Sequence, residues 1–364
     1  MSETIQFPIT TGLADSFNYD NPLFFSRWDY SFGVVLLSCL RLEKKINSGR
    51  YFRKVLDYCT QMIGHDGTIN TYNPCEFNID RINTGKVLFE LFGQTGDLRY
   101  KNALLVLRSQ LKNHPRTQEG IFWHKMIYPH QVWLDGLYMG LPFLAEWGLR
   151  FDEPEVFDDI ISQITCAAPH LCDTKTGLYY HAWDESGGMK WAQLHNNCSP
   201  HFWARAMGWF LMALLDVLEI LPETHPGRKK IIPIFTAAVD AVASVQDAHS
   251  GLWFQVLDFA GREKNYLESS ASCMFAYAIA RAAKLNILSK EYRSIALKAW
   301  QGIVLNFIRR DGEGKLHLTN GCMVAGLGGL PYRSGSFDYY MSEPVIEDDE
   351  KAVGACILAG CELE

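Results

Sequence analysis

The sequence predicts an all-α (α/α)6 barrel, a double ring of six helical hairpins with short strand-like loops at the active-site mouth. Three observations predict it: an internal repeat, a pair of amphipathic stretches between successive copies, and a difference in polarity within each pair. The repeat is a turn glycine followed by apolar or aromatic residues and then a polar one. It reads DGTINTY from Asp66, EGIFWHK from Glu119, TGLYYHAWD from Thr176 and SGLWFQVLD from Ser250, with a degraded copy, DGEGKLHL, from Asp311. A turn glycine and an alternating aromatic segment suit a brief strand or extended loop.

The stretches between copies pair as 30–45 with 51–63, 83–92 with 98–111, 132–147 with 153–167, 202–221 with 229–245, and 270–285 with 290–308. A less distinct sixth pair falls around 337–341 and 349–358. Apolar residues recur at three- and four-residue spacing, as in LLVLRSQL and AMGWFLMALLDVLEIL. Asp97 stands before LRYKNALLVL as an N-cap, and Pro154 and Pro226 sit at the openings of second helices. The first helix of each pair is rich in Trp, Gly and Met on nearly all faces, as an inner ring requires, and the second carries more Lys, Arg and Glu. Open superhelices need polar capping repeats at both ends, so a closed ring fits better.

With 48% hydrophobic residues and no low-complexity or Pro-rich linker, the 364 residues are expected to form one domain, with 1–20 as an N-terminal extension. The net charge is −7 and the 34 basic residues are scattered, which argues against a nucleic-acid partner. The N-terminus lacks a basic segment followed by an apolar run, and no stretch of about eighteen apolar residues occurs, so a cytoplasmic protein without a membrane span is expected. Its ten dispersed cysteines are then expected to be reduced and mostly buried. The sequence does not define the oligomeric state.

The loops that enter the inner helices gather at one mouth, and they hold the aromatics and most histidines. Flat aromatic faces stack on sugar rings, while carboxylates, His and Arg bond hydroxyls and carboxylates. Within IFWHKMIYPHQVWLDGLYMGLPFLAEWG, Asp135 lies in an otherwise apolar helix start. A carboxylate there is costly unless bonded, and burial favours the protonated form that a general acid uses. An N-cap or a buried hydrogen-bonded Asp is the alternative reading. His195, Cys198 and His201 in LHNNCSPH have metal-like or thiol-nucleophile spacing, but a fourth ligand is not evident. GLGG near Gly326 lacks the context of a phosphate loop. No metal and no cofactor are expected.

YPHQVWLDGLYMG closely resembles the active-site segment of unsaturated rhamnogalacturonyl hydrolases, glycoside hydrolase family 105. NIDRINTG from Asn78, FWHK from Phe122, YYHAWDES from Tyr179, FWARAMGW from Phe202 and YYMSEPVIEDDEKAVGA near the C-terminus resemble that family's blocks in its order. The resemblance runs from about Trp28 to Ala355, and it also implies an (α/α)6 barrel. It implies a substrate left by polysaccharide lyases, an oligosaccharide as short as a disaccharide whose terminal uronyl ring has a double bond between carbons 4 and 5. Asp135 is then expected to protonate carbon 4, after which water adds at carbon 5 and the neighbouring sugar is released.

By the same resemblance Asp80 is the second acidic position, holding water or ring hydroxyls and helping to keep Asp135 protonated; its alternative is a helix cap. His124, His181, Trp203, Arg205 and Trp209 match binding positions, with Arg205 gripping the uronate carboxylate, stacking on a ring, or making an internal salt bridge. Trp28, Tyr30 and Arg333 are expected at the mouth by position. Competing readings are an unsaturated glucuronyl hydrolase acting on glycosaminoglycan fragments, an ordinary inverting glycosidase, and a catalytically silent sugar-binding barrel.

Overall fold

The structure, a computed structural model, describes residues 7–364. In chain order the helices are α1 (Pro8–Ser16), α2 (Tyr30–Ile46), α3 (Arg50–Met62), α4 (Asp80–Asn83), α5 (Lys86–Thr95), α6 (Leu98–Asn113), α7 (Leu134–Arg150) and α8 (Glu155–Leu171). They continue with α9 (Ala204–Ile220), α10 (Arg228–Ser244), α11 (Ser269–Lys284), α12 (Arg293–Asn306), α13 (Phe337–Ser342) and α14 (Glu350–Leu363). Strands β1 (Gln131–Trp133) and β2 (Ala182–Asp184) form one antiparallel ribbon; β3 (Ile308–Arg310) pairs with β4 (Leu316–Leu318), and β5 (Gly321–Cys322) with β6 (Val345–Ile346).

The inner ring runs α2, α4 with α5, α7, α9, α11 and α14, and α14 packs back on α2 to close it. Outside lie α3 on α2, α6 on α5, α8 on α7, α10 on α9, α12 on α11 and α1 on α14. The two rings differ as their sequences require. In α9 every residue from Ala204 to Leu218 is buried, because neighbours surround it. In α3 only Tyr51, Val55, Tyr58, Cys59 and Met62 are buried, a single stripe facing inward.

Two expectations at the chain ends are corrected. Of the expected extension 1–20, residues 1–6 lie outside the described residues, but Pro8–Ser16 is helix α1, the outer partner of α14. The Glu364 carboxylate at the end of α14 accepts the backbone N–H groups of Ile9 and Thr10 at 2.7 and 2.9 Å. The sixth hairpin therefore joins the first helix to the last, which local periodicity does not show. The segment around 337–341 forms the short helix α13 in the connection that leads to α14.

The repeat supplies the turns that leave the outer helices. In all five copies a glycine has positive φ: Gly67, Gly120, Gly177, Gly251 and Gly314. In each copy its N–H closes a turn onto the residue three or four before it, as Gly120 does on Thr117 and Gly251 on Asp247. Side chains would be strained at these angles. Gly120 has open space where a Cβ would stand, whereas a Cβ on Gly251 would lie 2.7 Å from the Lys298 carbonyl oxygen of α12. Gly120→Ala is expected to cost about 1–2 kcal/mol of stability from backbone strain alone. Gly251→Ala should cost more, since the turn must also move away from α12. Urea unfolding midpoints test this, and equal losses would refute the close-approach argument.

Candidate active site

The inner helices all present their N-terminal ends to one mouth, where Tyr30, Asp80, Asp135 and Arg205 open α2, α4, α7 and α9. Three backbone hydrogen bonds knit the entering loops edge to edge. Ile79 N–H donates to the His124 carbonyl at 3.2 Å, His124 N–H to Gln131 at 2.8 Å, and Leu134 N–H to His181 at 3.1 Å. The β1–β2 register, Trp133 opposite Ala182, continues this contact. These pairings gather Asp80, His124, Asp135 and His181 from segments up to a hundred residues apart.

Asp80 does not cap its helix. Its carboxylate lies 2.7 Å from Lys125 Nζ and 3.7 Å from His124 Nε2. Burial alone would raise the carboxyl, but Lys125 and His124 outweigh it and hold it below the ordinary value. Burial pushes His124 down to about 4 against the pull of Asp80. At neutral pH that imidazole is uncharged, so Lys125 is the cation that keeps Asp80 ionised.

Asp135 does not cap its helix either. The α7 N-cap is Trp133, which makes no side-chain capping bond. The Asp135 side chain is 14% exposed, and its Oδ2 lies 3.4 Å from His181 Nε2 without a formed hydrogen bond. Behind His181, the Tyr340 hydroxyl lies 2.9 Å from Nδ1. Tyr340 is fully buried, and burial pushes its phenol well above the ordinary value, so it keeps its proton. Its hydroxyl bonds to no other described group, so the proton goes to Nδ1 and the imidazole proton is assigned to Nε2, facing Asp135. One oxygen of Asp135 thus faces a donor, and the other is left for a ligand.

An aromatic wall stands beside the two acids. Trp133 stacks on both His124, at 4.3 Å, and Tyr128, at 5.2 Å, with interplanar angles of 10° and 11°, and those two rings lie side by side 6.4 Å apart. Its edge meets His181, which in turn packs on Trp203. Tyr30 is half-buried, meets Trp209 edge-on, and is a phenol that burial and nearby Asp80 hold protonated.

The remaining expected residues divide. Arg205 is 1% exposed and lies below the floor. Its Nη1 donates to the Cys322 carbonyl at 2.6 Å and to Ser270 at 3.2 Å, and faces Asp349 at 3.5 Å, while Nη2 is buried without a partner. An internal salt bridge is therefore present, and a grip on a carboxylate by both terminal nitrogens is not available. Trp203 and Trp209 are also buried; Trp209 stacks on Tyr138 at 4.8 Å. Arg333 is at the rim, donating to the Tyr128 hydroxyl at 2.8 Å and to the Gly328 carbonyl. Trp28 is corrected: it is fully buried, its indole N–H donates to the Arg81 carbonyl at 2.8 Å, and its ring stacks on Tyr58. It braces the α2–α3 hairpin behind Asp80, and Tyr30 takes the mouth position.

Sequence reasoning missed Lys125 and Tyr340 as site residues. Lys125 follows His124 and in an extended strand would point away, but the loop turns back with Lys125 paired to Tyr128. Tyr340 reaches His181 across 159 positions, with no local signal. His195, Cys198 and His201 do not form a centre: Cys198 is buried against the His170 carbonyl, His201 meets Phe259, and no metal-holding group of three is found among the described residues.

A glycoside hydrolase class is what this barrel and its acidic mouth define, and the sequence comparisons agree. The family model Glycosyl Hydrolase Family 88 matches residues 13–364. A solved glycoside hydrolase of family 105 from C. acetobutylicum ATCC 824 has a TM-score of 0.95 and 43% identity, covering 97% of this chain and 98% of its own. Unsaturated rhamnogalacturonyl hydrolase YesR of Bacillus subtilis is 28% identical over 292 residues, 79% of this chain and 78% of its own. An unsaturated glucuronyl hydrolase from Bacillus sp. GL1 shares the fold, with a TM-score of 0.71 at 12% identity over 99% of this chain and 97% of its own. The chain belongs to the family 88 and 105 glycoside hydrolases, alongside the family 105 members. No described helix is long and apolar enough to cross a membrane.

Two tests follow. Lys125→Met should raise the Asp80 carboxyl, seen in a side-chain carbon NMR titration. Because Asp80 is depressed, its pairing stabilises the fold above the ordinary carboxylate range and loses that effect as pH falls through its folded value; the variant should lose stability mainly above that range. Tyr340→Phe should release His181 Nδ1, so that nitrogen spectra show mixed tautomers. An unchanged spectrum would refute the tautomer assignment.

Proposed function

We propose that this hydrolase removes the terminal 4,5-unsaturated uronyl residue from lyase-generated pectin oligosaccharides of the rhamnogalacturonan type, with Asp135 as both acid and base. The observation that carries the reading is that the mouth holds one carboxyl group free to act. Asp80 is tied to Lys125, whereas Asp135 has only the His181 imidazole beside its Oδ2, and its other oxygen is left open. Ordinary glycosidases need two working carboxyl groups across the scissile bond. Hydration of an enol ether needs one.

In this reaction protonated Asp135 delivers its proton to carbon 4, and the ring oxygen lends electron density to the cation that develops at carbon 5. Water adds at carbon 5 and returns a proton to the Asp135 carboxylate. The resulting hemiketal opens to a ketone, and the exposed hemiacetal at carbon 1 expels the next sugar. One water is consumed and Asp135 ends protonated. Ionised Asp80 accepts ring hydroxyls. The N-termini of α7 and α9, which carry no side-chain caps, favour the anionic uronate. Similarity to YesR supports the pectin side. Ten free cysteines, most of them buried, support a reducing cytoplasmic setting.

Asp135→Asn is expected to lose activity by about 10²–10⁴-fold or more, read as persistence of the ultraviolet absorbance of the unsaturated disaccharide. In heavy water the wild-type product should carry one deuterium at carbon 4. Cleavage without that label, or cleavage of the saturated analogue, would overturn the mechanism.

A further inference from the structure

The turn repeat builds one arrangement at the mouth again and again. Four residues after the turn glycines Gly120, Gly177 and Gly251 stand His124, His181 and Gln255. The carbonyl of each accepts the N–H at the start of an inner helix, from Ile79 to His124 at 3.2 Å, from Leu134 to His181 at 3.1 Å, and from Ala204 to Gln255 at 3.0 Å. The residue after each donor is Asp80, Asp135 or Arg205, so Gln255 is to Arg205 what the two imidazoles are to the two acids. The proposed reaction assigns no part to Gln255.

Gln255 is fully buried, and its side chain makes one hydrogen bond. The Trp203 indole N–H donates to its Oε1 at 3.2 Å. An indole N–H only donates, so the amide oxygen and not the NH2 group must face it. That leaves Nε2 buried without a partner. A leucine would fill similar space without that cost, so the oxygen of Gln255, not its bulk, explains the position. Trp203 in turn is the common neighbour of the pair beside Asp135. It packs on His181 at 4.6 Å and lies 18° from parallel to Tyr340 at 6.1 Å. The 2.9 Å contact between the Tyr340 hydroxyl and His181 Nδ1 therefore has a single indole against both of its partners. The other wall tryptophan is secured in the same way, with Trp133 Nε1 donating to Gln131 Oε1 at 3.0 Å.

We propose that Gln255 is a positioning residue for the reaction, which holds the Trp203 indole and thereby fixes the Tyr340–His181 pair and the donor that His181 turns toward Asp135. The inference rests on Asp135 being the working acid. Without the amide oxygen the indole N–H loses its acceptor, and the ring can turn in its slot. Any turn of His181 that follows moves Nε2 relative to Asp135 Oδ2, 3.4 Å away, where neither atom has a formed hydrogen bond to hold it. An amide suits this place because, beside Arg205, it cannot become a second cation as an imidazole can.

Kinetics of Gln255→Leu, Trp203→Phe and the double variant on the unsaturated disaccharide test the proposal. Each single change should lower kcat by about tenfold or more and leave KM within about twofold, because a misplaced group acts on the transition state. The double variant should lose no more than the weaker single one, since both changes remove the same bond. Losses that multiply overturn the proposal, as does a raised KM with kcat kept. Nitrogen spectra of His181 give a readout without turnover. Gln255→Leu should show the mixed tautomers expected of Tyr340→Phe, and a spectrum like that of the wild type overturns the role. If melting curves show Gln255→Leu to be unfolded, Trp203→Phe carries both measurements. A wild type that leaves the disaccharide intact refutes the proposed reaction instead, and the spectra still decide whether Gln255 holds His181.

Discussion

Everything polar in this barrel is governed by one constraint: a helix in the inner ring touches protein on every side. Along α9 the chain cannot place a solvated group between Ala204 and Leu218, so the only charges there, Arg205 and Asp216, stand near its two ends. The same holds for α7, where Asp135 opens the helix and Glu146 and Arg150 close it. Chemistry is thereby confined to the two mouths of the ring. Between them lies an apolar and aromatic septum that includes Tyr138 and Trp209.

The two ends then solve the burial of charge differently. At the N-terminal end, loops enter from the outer ring and backbone hydrogen bonds pin them edge to edge, so each side chain has a fixed neighbour. Lys125 neutralises Asp80, and the Tyr340–His181 pair turns a donor toward Asp135. At the C-terminal end ion pairs satisfy most groups, and Lys86, without a hydrogen-bond acceptor, rests over the Tyr138 ring and faces Asp216. Buried polar groups without partners cost free energy, and in native proteins they are commonly explained by ordered water or a ligand.

Helix positions were readable from the chain because the hydrophobic period persists through each element and the turn glycines mark each exit. Asp97 caps α6 through the Arg99 N–H, as its place before an apolar run implies. The closing hairpin was not readable, since α1 and α14 meet from opposite termini. Within the site, Asp135 stood out as an acid in apolar surroundings, and the resemblance of its segment to a known family singled it out further. Trp28 and Tyr30, two residues apart on the same entry segment, looked equivalent; the direction each side chain takes at the start of α2 separates them.

The sequence by itself determined that a ring of helical pairs forms, which member of the first five pairs lies inside, and that an acidic, aromatic mouth gathers where the loops return. Those properties are local, carried by period, composition and turn chemistry. Only the tertiary structure decided that Asp80 is held by Lys125, that Tyr340 reaches His181 across 159 positions, and that Arg205 spends one nitrogen on Cys322 and Ser270. These contacts come from loops folding back across one another, and their partners are set by the closure of the ring.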